Sequence, residues 1–151
     1  MRFFSRMVCR SSRLLSSVED AIELAPMAPD LTVRDHVLLV ATTWPDRETS
    51  AEARADDLLD ELGLGWLGDR FPHELSSGQT QLFGLALVLA RQFDVLVLDE
   101  PEQRMDNEHI ALVIQVLRAR RDAGSTLVIA THSAELAEEL ADRTLDLDAP
   151  A

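Results

Sequence analysis

Two adjacent carboxylates directly follow a short apolar run. The run Val95–Leu98 leads into Asp99 and Glu100. Its length and valine content predict a buried parallel strand, and open α/β sheets bind ligands at the carboxyl ends of such strands. Adjacent carboxylates are costly there unless they serve a cation or a reaction. One of them is therefore a candidate for holding Mg²⁺, and its neighbour for orienting or deprotonating a water. A strand cap followed by a surface acid explains the same residues without chemistry.

A histidine follows the next apolar run. Thr126–Ala130 predicts a second buried strand, which continues into Thr131 and His132. Because both strands would end at the same edge of a sheet, the ring nitrogens of His132 could contact a γ-phosphate or hold an attacking water. A solvated loop histidine is the simpler interpretation. The other histidines lack ligand spacing, so we predict solvated side chains and no histidine metal site for them. They are His36, His73 and His109.

A segment of serine and glycine opens a predicted helix. Ser76, Ser77, Gly78 and Gln79 precede an apolar stretch that ends near Arg91. Ser76 followed three residues later by Gln79 fits a capping box. The unpaired N–H groups and the dipole at a helix N-terminus attract anions, so this segment is a candidate phosphate site. An ordinary N-cap is the alternative.

The elements that would position these residues differ between the two halves of the chain. The second half alternates strand and helix patterns, which is typical of an α/β fold with a parallel sheet, whereas the first half is helical. A first helix is expected between Asp30, its N-cap, and Pro45. Further helices are predicted at about 50–62, 76–91, 107–122 and 134–141, and strands at 95–98, 126–130 and 144–147. The predicted parts are a weakly patterned segment 1–28, a helical part 29–92 and an α/β part 93–148.

Charge and composition exclude several classes of function. The 151 residues include 27 acids and 14 basic residues, all of them arginine, and the net charge is −13. The absence of lysine excludes any mechanism within this chain that needs one. The acidic balance argues against nucleic acid as the main partner. The single cysteine, Cys9, cannot form an internal disulfide. The longest apolar run, Leu82–Ala90, is shorter than the ~20 residues that a membrane span requires.

The order of the motifs resembles that of the nucleotide-binding subunits of ATP-binding-cassette (ABC) transporters. The resemblance covers about residues 29–148 and implies a partial P-loop-NTPase-like parallel sheet preceded by a helical signature subdomain. The matching segments are Leu31–His36 at the start of the helical subdomain, Phe71–Gln79 as the signature motif with its lead-in, Asp94–Pro101 as Walker B, Met105–Asp106 as the D-loop and Thr131–His132 as the H-loop.

The resemblance implies a role for each candidate residue. Asp99 would bind Mg²⁺, Glu100 would be the general base and His132 would contact the γ-phosphate of ATP. The signature residues would reach an ATP held by a second nucleotide-binding domain, and Asp106 would link the two sites. Those signature residues are Ser76, Ser77, Gly78 and Gln79. The implied partners are that second domain and membrane-spanning transporter subunits. The implied location is cytoplasmic, peripheral at the inner face of the plasma membrane.

The family's P-loop, GxxxxGK[ST], does not occur in this sequence. No glycine precedes Gly63, there is no lysine, and the first glutamine is Gln79, so the glutamine of the Q-loop is also missing. The P-loop supplies most of the grip on the β- and γ-phosphates. After the signature motif, Thr80, Leu82 and Leu87 stand where the family commonly has basic residues.

Two main hypotheses follow from this departure. The first is a shortened ATP-hydrolysing transporter subunit that does not bind ATP conventionally by itself. The second is a binding module that completes another cassette's ATP site in trans. A member of the superfamily acting in DNA repair or on ribosomes is disfavoured by the net charge of −13. An unrelated α/β domain with accidental motifs is disfavoured by the number and order of the motifs.

Overall fold

A computed structural model describes residues 4–8, 18–19, 27–45 and 48–146. These residues divide into two compact units. The helical unit comprises the described residues 27–45, 48–92 and 104–106. The sheet unit comprises the described residues 4–8, 18–19, 93–103 and 107–146. Among the described residues, no helix is both long enough and apolar enough to span a bilayer.

The helical unit is built on helices whose N-termini are capped by hydroxyl side chains. Thr32, Ser50 and Ser76 cap helices α1, α2 and α3. The helices span α1 Val33–Thr43, α2 Ala51–Glu61 and α3 Ser77–Leu89, with short 3₁₀ turns at Gly65–Leu67 and Pro72–Glu74. The predicted helices over these segments are confirmed to within one or two residues at each end.

The expected N-cap of α1 is wrong. Thr32 caps the helix instead of Asp30, because the Thr32 hydroxyl oxygen accepts the Asp35 N–H at 3.1 Å. The Asp35 carboxylate in turn accepts two hydrogen bonds from Thr32, one from its hydroxyl at 2.7 Å and one from its N–H at 3.1 Å. These bonds to Thr32 lower the pKa of Asp35, the hydroxyl having the larger effect. The reciprocal pair is a capping box.

Apolar side chains from all three helices form the core of the helical unit. The apolar faces of α1 and α2 pack together, and α3 is buried on most of its surface, as its apolar composition predicts. The largest fully buried side chains of this unit are Leu59, Leu62, Leu64, Leu82, Phe83 and Leu85.

His36 belongs to this core, so its predicted solvated state is wrong. Its side chain lies edge-on to the Phe83 ring, with the ring centroids 5.5 Å apart. Nδ1 donates to the Thr32 carbonyl at 2.7 Å, and Nε2 accepts the Ala28 N–H at 3.0 Å. These bonds require the neutral ring with its proton on Nδ1. His73 is exposed as predicted.

The sheet unit contains a mixed sheet with a parallel centre. Its order is β2-β3-β4-β1-β5. Strands β2, β3 and β4 run parallel, and β1 pairs antiparallel with β4 and with β5. The bounds are β1 Phe4–Val8, β2 Val18–Glu19, β3 Val95–Asp99, β4 Thr126–Thr131 and β5 Leu145–Asp146. Helices α4, Asn107–Asp122, and α5, Ala134–Leu140, pack against β4.

The α/β fold class with its parallel β3–β4 pair is confirmed. Strands β1 and β2 were not predicted, since the first 28 residues carry weak patterning. Their partners lie far along the chain: Phe4 pairs with Thr131, and Val18 pairs with Val95. Local sequence does not report pairing over such distances, because the ladder hydrogen bonds come from the partner strand.

A matched pair of leucine substitutions tests the core of the helical unit. Leu59 is 1% exposed and Leu39 is 57% exposed. We expect Leu59→Ala to lower the free energy of unfolding by about 2–5 kcal/mol, because it leaves a cavity. Leu39→Ala should change it by less than ~0.5 kcal/mol. Urea unfolding followed by circular dichroism measures both. Equal losses would contradict the assigned burial.

Candidate functional site

The predicted carboxylate pair lies where β3 ends. Asp99 is the last residue of the strand, is exposed, and pairs in register with Ala130 of β4. The next N–H, that of Glu100, donates to the Ala130 carbonyl at 2.8 Å. Glu100 has φ +44°, in the left-handed region that non-glycine residues rarely adopt. Such strained backbone is concentrated at functional sites and persists only where the surrounding structure holds it.

The structure brings Glu100 and His132 together. His132 Nε2 lies 2.9 Å from Glu100 Oε1, so the ring N–H donates to the carboxylate. Both side chains are partly exposed, at 28% for Glu100 and 40% for His132. The other carboxylate oxygen, Oε2, accepts the Gln103 side-chain N–H at 2.9 Å. The carboxylate is therefore oriented from both oxygens while remaining open to solvent.

Glu102 contacts the chain on both sides of His132. Its Oε1 accepts the Thr131 hydroxyl and, at 3.2 Å, the Ser133 N–H. That same N–H also donates to the Thr131 hydroxyl oxygen at 2.9 Å. Glu102 Oε2 is buried and has no hydrogen-bond partner. Neither Glu102 nor Gln103 was predicted as a site residue, because they lie in a turn where a glutamate or a glutamine carries no pattern.

The signature segment opens α3 in the helical unit with a capping box. Ser76 Oγ accepts the Gln79 N–H at 3.3 Å, and Gln79 Oε1 accepts the Ser76 N–H at 2.9 Å. Ser77 is the exposed first residue of the helix, and Gly78 is buried. The capping box predicted here is confirmed. Asp106 is an exposed residue of the same unit.

The donor set at the strand ends fits Mg²⁺ only as a partial site. An exposed carboxylate such as Asp99 suits this ion, which commonly takes one or two carboxylates and completes its shell with water and phosphate oxygens. Among the described residues, no cluster of three or more histidine, cysteine or acidic side chains could enclose a metal. In the part of the chain that the structure describes, Asp99 is thus a candidate ligand at an open strand end and not part of an enclosing cage.

A separate surface pocket lies in the helical unit. The Arg34 guanidinium forms paired hydrogen bonds there with Asp56, at 2.6 and 2.8 Å. Those bonds lower the pKa of Asp56. The pocket encloses about 300 Å³ and is lined by Arg34, Asp56, Leu59, Asp60, Gly65, Gly68 and Asp69. None of the residues predicted to act in the site lines it.

Comparison with known proteins identifies relatives for most of the chain. Residues 3–138 match the family model described as "AAA domain, putative AbiEii toxin, Type IV TA system". The chain is 34% identical over 121 residues to the arginine transport ATP-binding protein ArtM of Bacillus subtilis, covering 80% of this chain and 50% of that protein. It is also 34% identical over 121 residues to the lipoprotein-releasing system ATP-binding protein LolD of Aquifex aeolicus, covering 80% and 54%. The chain thus spans about half the length of these curated relatives.

A solved structure shares the fold. The dimeric ABC transporter cassette MJ0796 superposes with a TM-score of 0.68 over 85% of this chain and 62% of that chain. The sequence identity over this match is 22%, so the match supports a shared fold and nothing beyond it.

Substitution of two neighbouring serines tests which of them caps α3. Ser76→Ala removes the acceptor for the Gln79 N–H, and we expect it to lower the free energy of unfolding by about 1 kcal/mol. Ser77→Ala lies outside the cap and should cost less than ~0.5 kcal/mol. Urea unfolding of both variants measures the difference. A loss at Ser77 as large as at Ser76 would contradict the capping geometry.

Proposed function

We propose that this chain, which belongs to the ATP-binding-cassette family, serves as an ATP-binding subunit of a membrane transporter. The AAA-domain family match, the similarity to transporter ATP-binding proteins and the shared fold support this proposal. In that role it couples ATP binding and hydrolysis to transport. The observation that carries the proposal is the 2.9 Å contact between Glu100 and His132 at the carboxyl ends of β3 and β4. Their spacing along the sequence and their meeting in space both support a shared reaction centre.

The residues at the strand ends suit general-base chemistry on a water. The Glu100 carboxylate is the proton acceptor, and the N–H donors of His132 and Gln103 fix its orientation. A base held in this way needs little reorganisation when the water is deprotonated. Asp99 would contribute one carboxylate to a Mg²⁺ ion, whose chemistry when bound is to neutralise charge on phosphate oxygens.

The 151 residues do not contain the groups that usually grip ATP. There is no lysine and no GxxxxGK[ST] sequence, and glycine is absent before Gly63. The residues of this chain therefore do not fit conventional nucleotide binding, and we propose that these 151 residues do not bind ATP in that way unaided. A second nucleotide-binding domain would supply the phosphate cradle and face the signature segment Ser76–Gln79 of this chain.

The transporter role implies a peripheral location. Membrane-spanning subunits would hold the protein at the inner, cytoplasmic face of the plasma membrane. Nucleic acid is not the proposed partner, since the net charge of −13 repels a phosphate backbone.

Nucleotide binding by the purified chain tests the proposed limit. We expect isothermal titration calorimetry with Mg²⁺ and millimolar ATP to give no heat of binding, whereas a complete cassette with its P-loop binds under the same conditions. The physical reason is the absent lysine and backbone cradle. Mg²⁺-dependent ATP hydrolysis that Glu100→Gln abolishes would contradict the proposal.

A second candidate function is a non-hydrolytic module that completes another cassette's site in trans. Two observations favour this module: the capping box of the signature segment is intact, and the sequence contains no P-loop. Mixed with a complete partner cassette, Ser76→Arg should then lower the partner's turnover by ~10²-fold or more, the scale of losing one transition-state donor. Glu100→Gln should leave the partner's turnover unchanged. Ser50→Arg, at the N-cap of α2, is the matched control for loss of a cap. Equal losses from Ser76→Arg and Glu100→Gln would count against the module.

A further inference from the structure

The loop after β3 and the loop after β4 are joined by several hydrogen bonds. The backbone bond from Glu100 N to Ala130 O begins the connection, and the contact of Glu100 with His132 continues it. The last connection is the Glu102 carboxylate, which accepts from Thr131 and from Ser133. His132 therefore lies between two residues that one side chain holds.

These bonds to Glu102 lie in a shielded environment. Thr131 is 2% exposed, and its hydroxyl is shared between Glu102 and the Ser133 N–H. Hydrogen bonds to a charged acceptor are stronger than neutral ones, and a low dielectric strengthens them further. The backbone on both sides of the His132 imidazole is therefore restrained, while the ring itself is 40% exposed.

The other oxygen of the same carboxylate lowers stability. Glu102 Oε2 is buried without a partner, and burial of an unpaired polar atom is unfavourable, more so when the atom is charged. An alanine or an apolar residue would avoid that cost. A purely stabilising role does not explain why a glutamate with an unpaired buried oxygen stands here. A positioning role does, because the bonds made by Oε1 then justify the cost of burying Oε2.

We propose that Glu102 is a positioning residue, whose carboxylate holds Thr131 and Ser133 so that the His132 ring meets the Glu100 carboxylate. This inference rests on the proposed function only in one respect, namely that the position of the His132 ring matters for ATP hydrolysis. The positioning itself concerns residues of the sheet unit and needs no nucleotide.

The experiment follows the His132 ring in the full chain by ¹⁵N-edited NMR without nucleotide. The variants are Glu102→Gln, which keeps an oxygen acceptor, and Glu102→Ala, which removes it. Glu138→Ala, an exposed glutamate of α5, is the matched control. We expect Glu102→Ala to change the ring ¹⁵N shifts of His132 and to raise the exchange rate of the Ser133 amide about tenfold or more, the factor that corresponds to one hydrogen bond to a charged group. Glu102→Gln should retain most of both properties, and the control should match the wild type.

A double-mutant cycle tests whether Glu102 controls the contact between the His132 ring and Glu100. In the wild type, Glu100→Gln changes the His132 ring shifts because it alters the group at 2.9 Å. In the Glu102→Ala background, that change should fall to half or less, since the ring no longer meets Glu100 in a fixed place. Thr131→Val removes the same hydrogen bond from the other side and should reproduce the effect if Glu102→Ala does not fold.

The outcomes separate this inference from the proposed function. If the ring shifts and the cycle are unaffected while stability falls, Glu102 is only structural and the proposal is overturned. If they change as expected, the positioning stands whether or not the chain takes part in ATP hydrolysis. A failure of the ATP-binding and partner experiments leaves these nucleotide-free measurements unaltered and so bears on the proposed function alone.

Discussion

The parallel ladder between β3 and β4 is the interaction on which the candidate site depends. It pairs Asp99 with Ala130, so that the residues following each strand emerge at one edge. A slip of one residue would move every side chain of a strand to the opposite face and separate Glu100 from His132. The buried apolar side chains of the two strands hold the register, because a slip would expose them to water. These side chains include Leu96, Leu98, Leu127 and Ile129.

The ladder also holds in place two unfavourable local conformations that a more flexible loop would relax. Glu100 has a left-handed φ of +44°, and Glu102 buries an unpaired carboxylate oxygen. Each feature is unfavourable by itself, and each lies within three residues of the strand end. Functional sites commonly break a local rule in this way while the rigid elements around them compensate. The sheet unit thus concentrates its strain where its candidate chemistry lies.

Electrostatics is the physical basis of the proposed limit on ATP binding by these 151 residues. In the proposed role, phosphates bound beside Asp99 and Glu100 would need compensating positive charge, and arginine is the only strongly basic side chain in the sequence. Several of the described arginines already pair with acids, as Arg34 does with Asp56 and Arg118 with Glu139. The signature segment likewise uses Ser76 and Gln79 to cap its own helix. In the proposed assembly, a partner's phosphate cradle would supply positive charge to the ATP that faces the signature segment.

Local sequence determined most of the elements and the identity of the candidate residues. Period, caps and breakers act over a few residues, which is why α2, α4 and the Ser76 capping box were predictable. Tertiary structure decided the rest. The burial of His36 depends on Phe83 and Ala28, the strand Phe4–Val8 depends on β4, and the contacts of Glu102 depend on a loop some 30 residues later in the chain. Such partners are brought together only by packing, so no local pattern reports them. The sequence by itself therefore determined which groups are available for chemistry and that lysine is not among them, whereas the fold alone decided which of those groups meet.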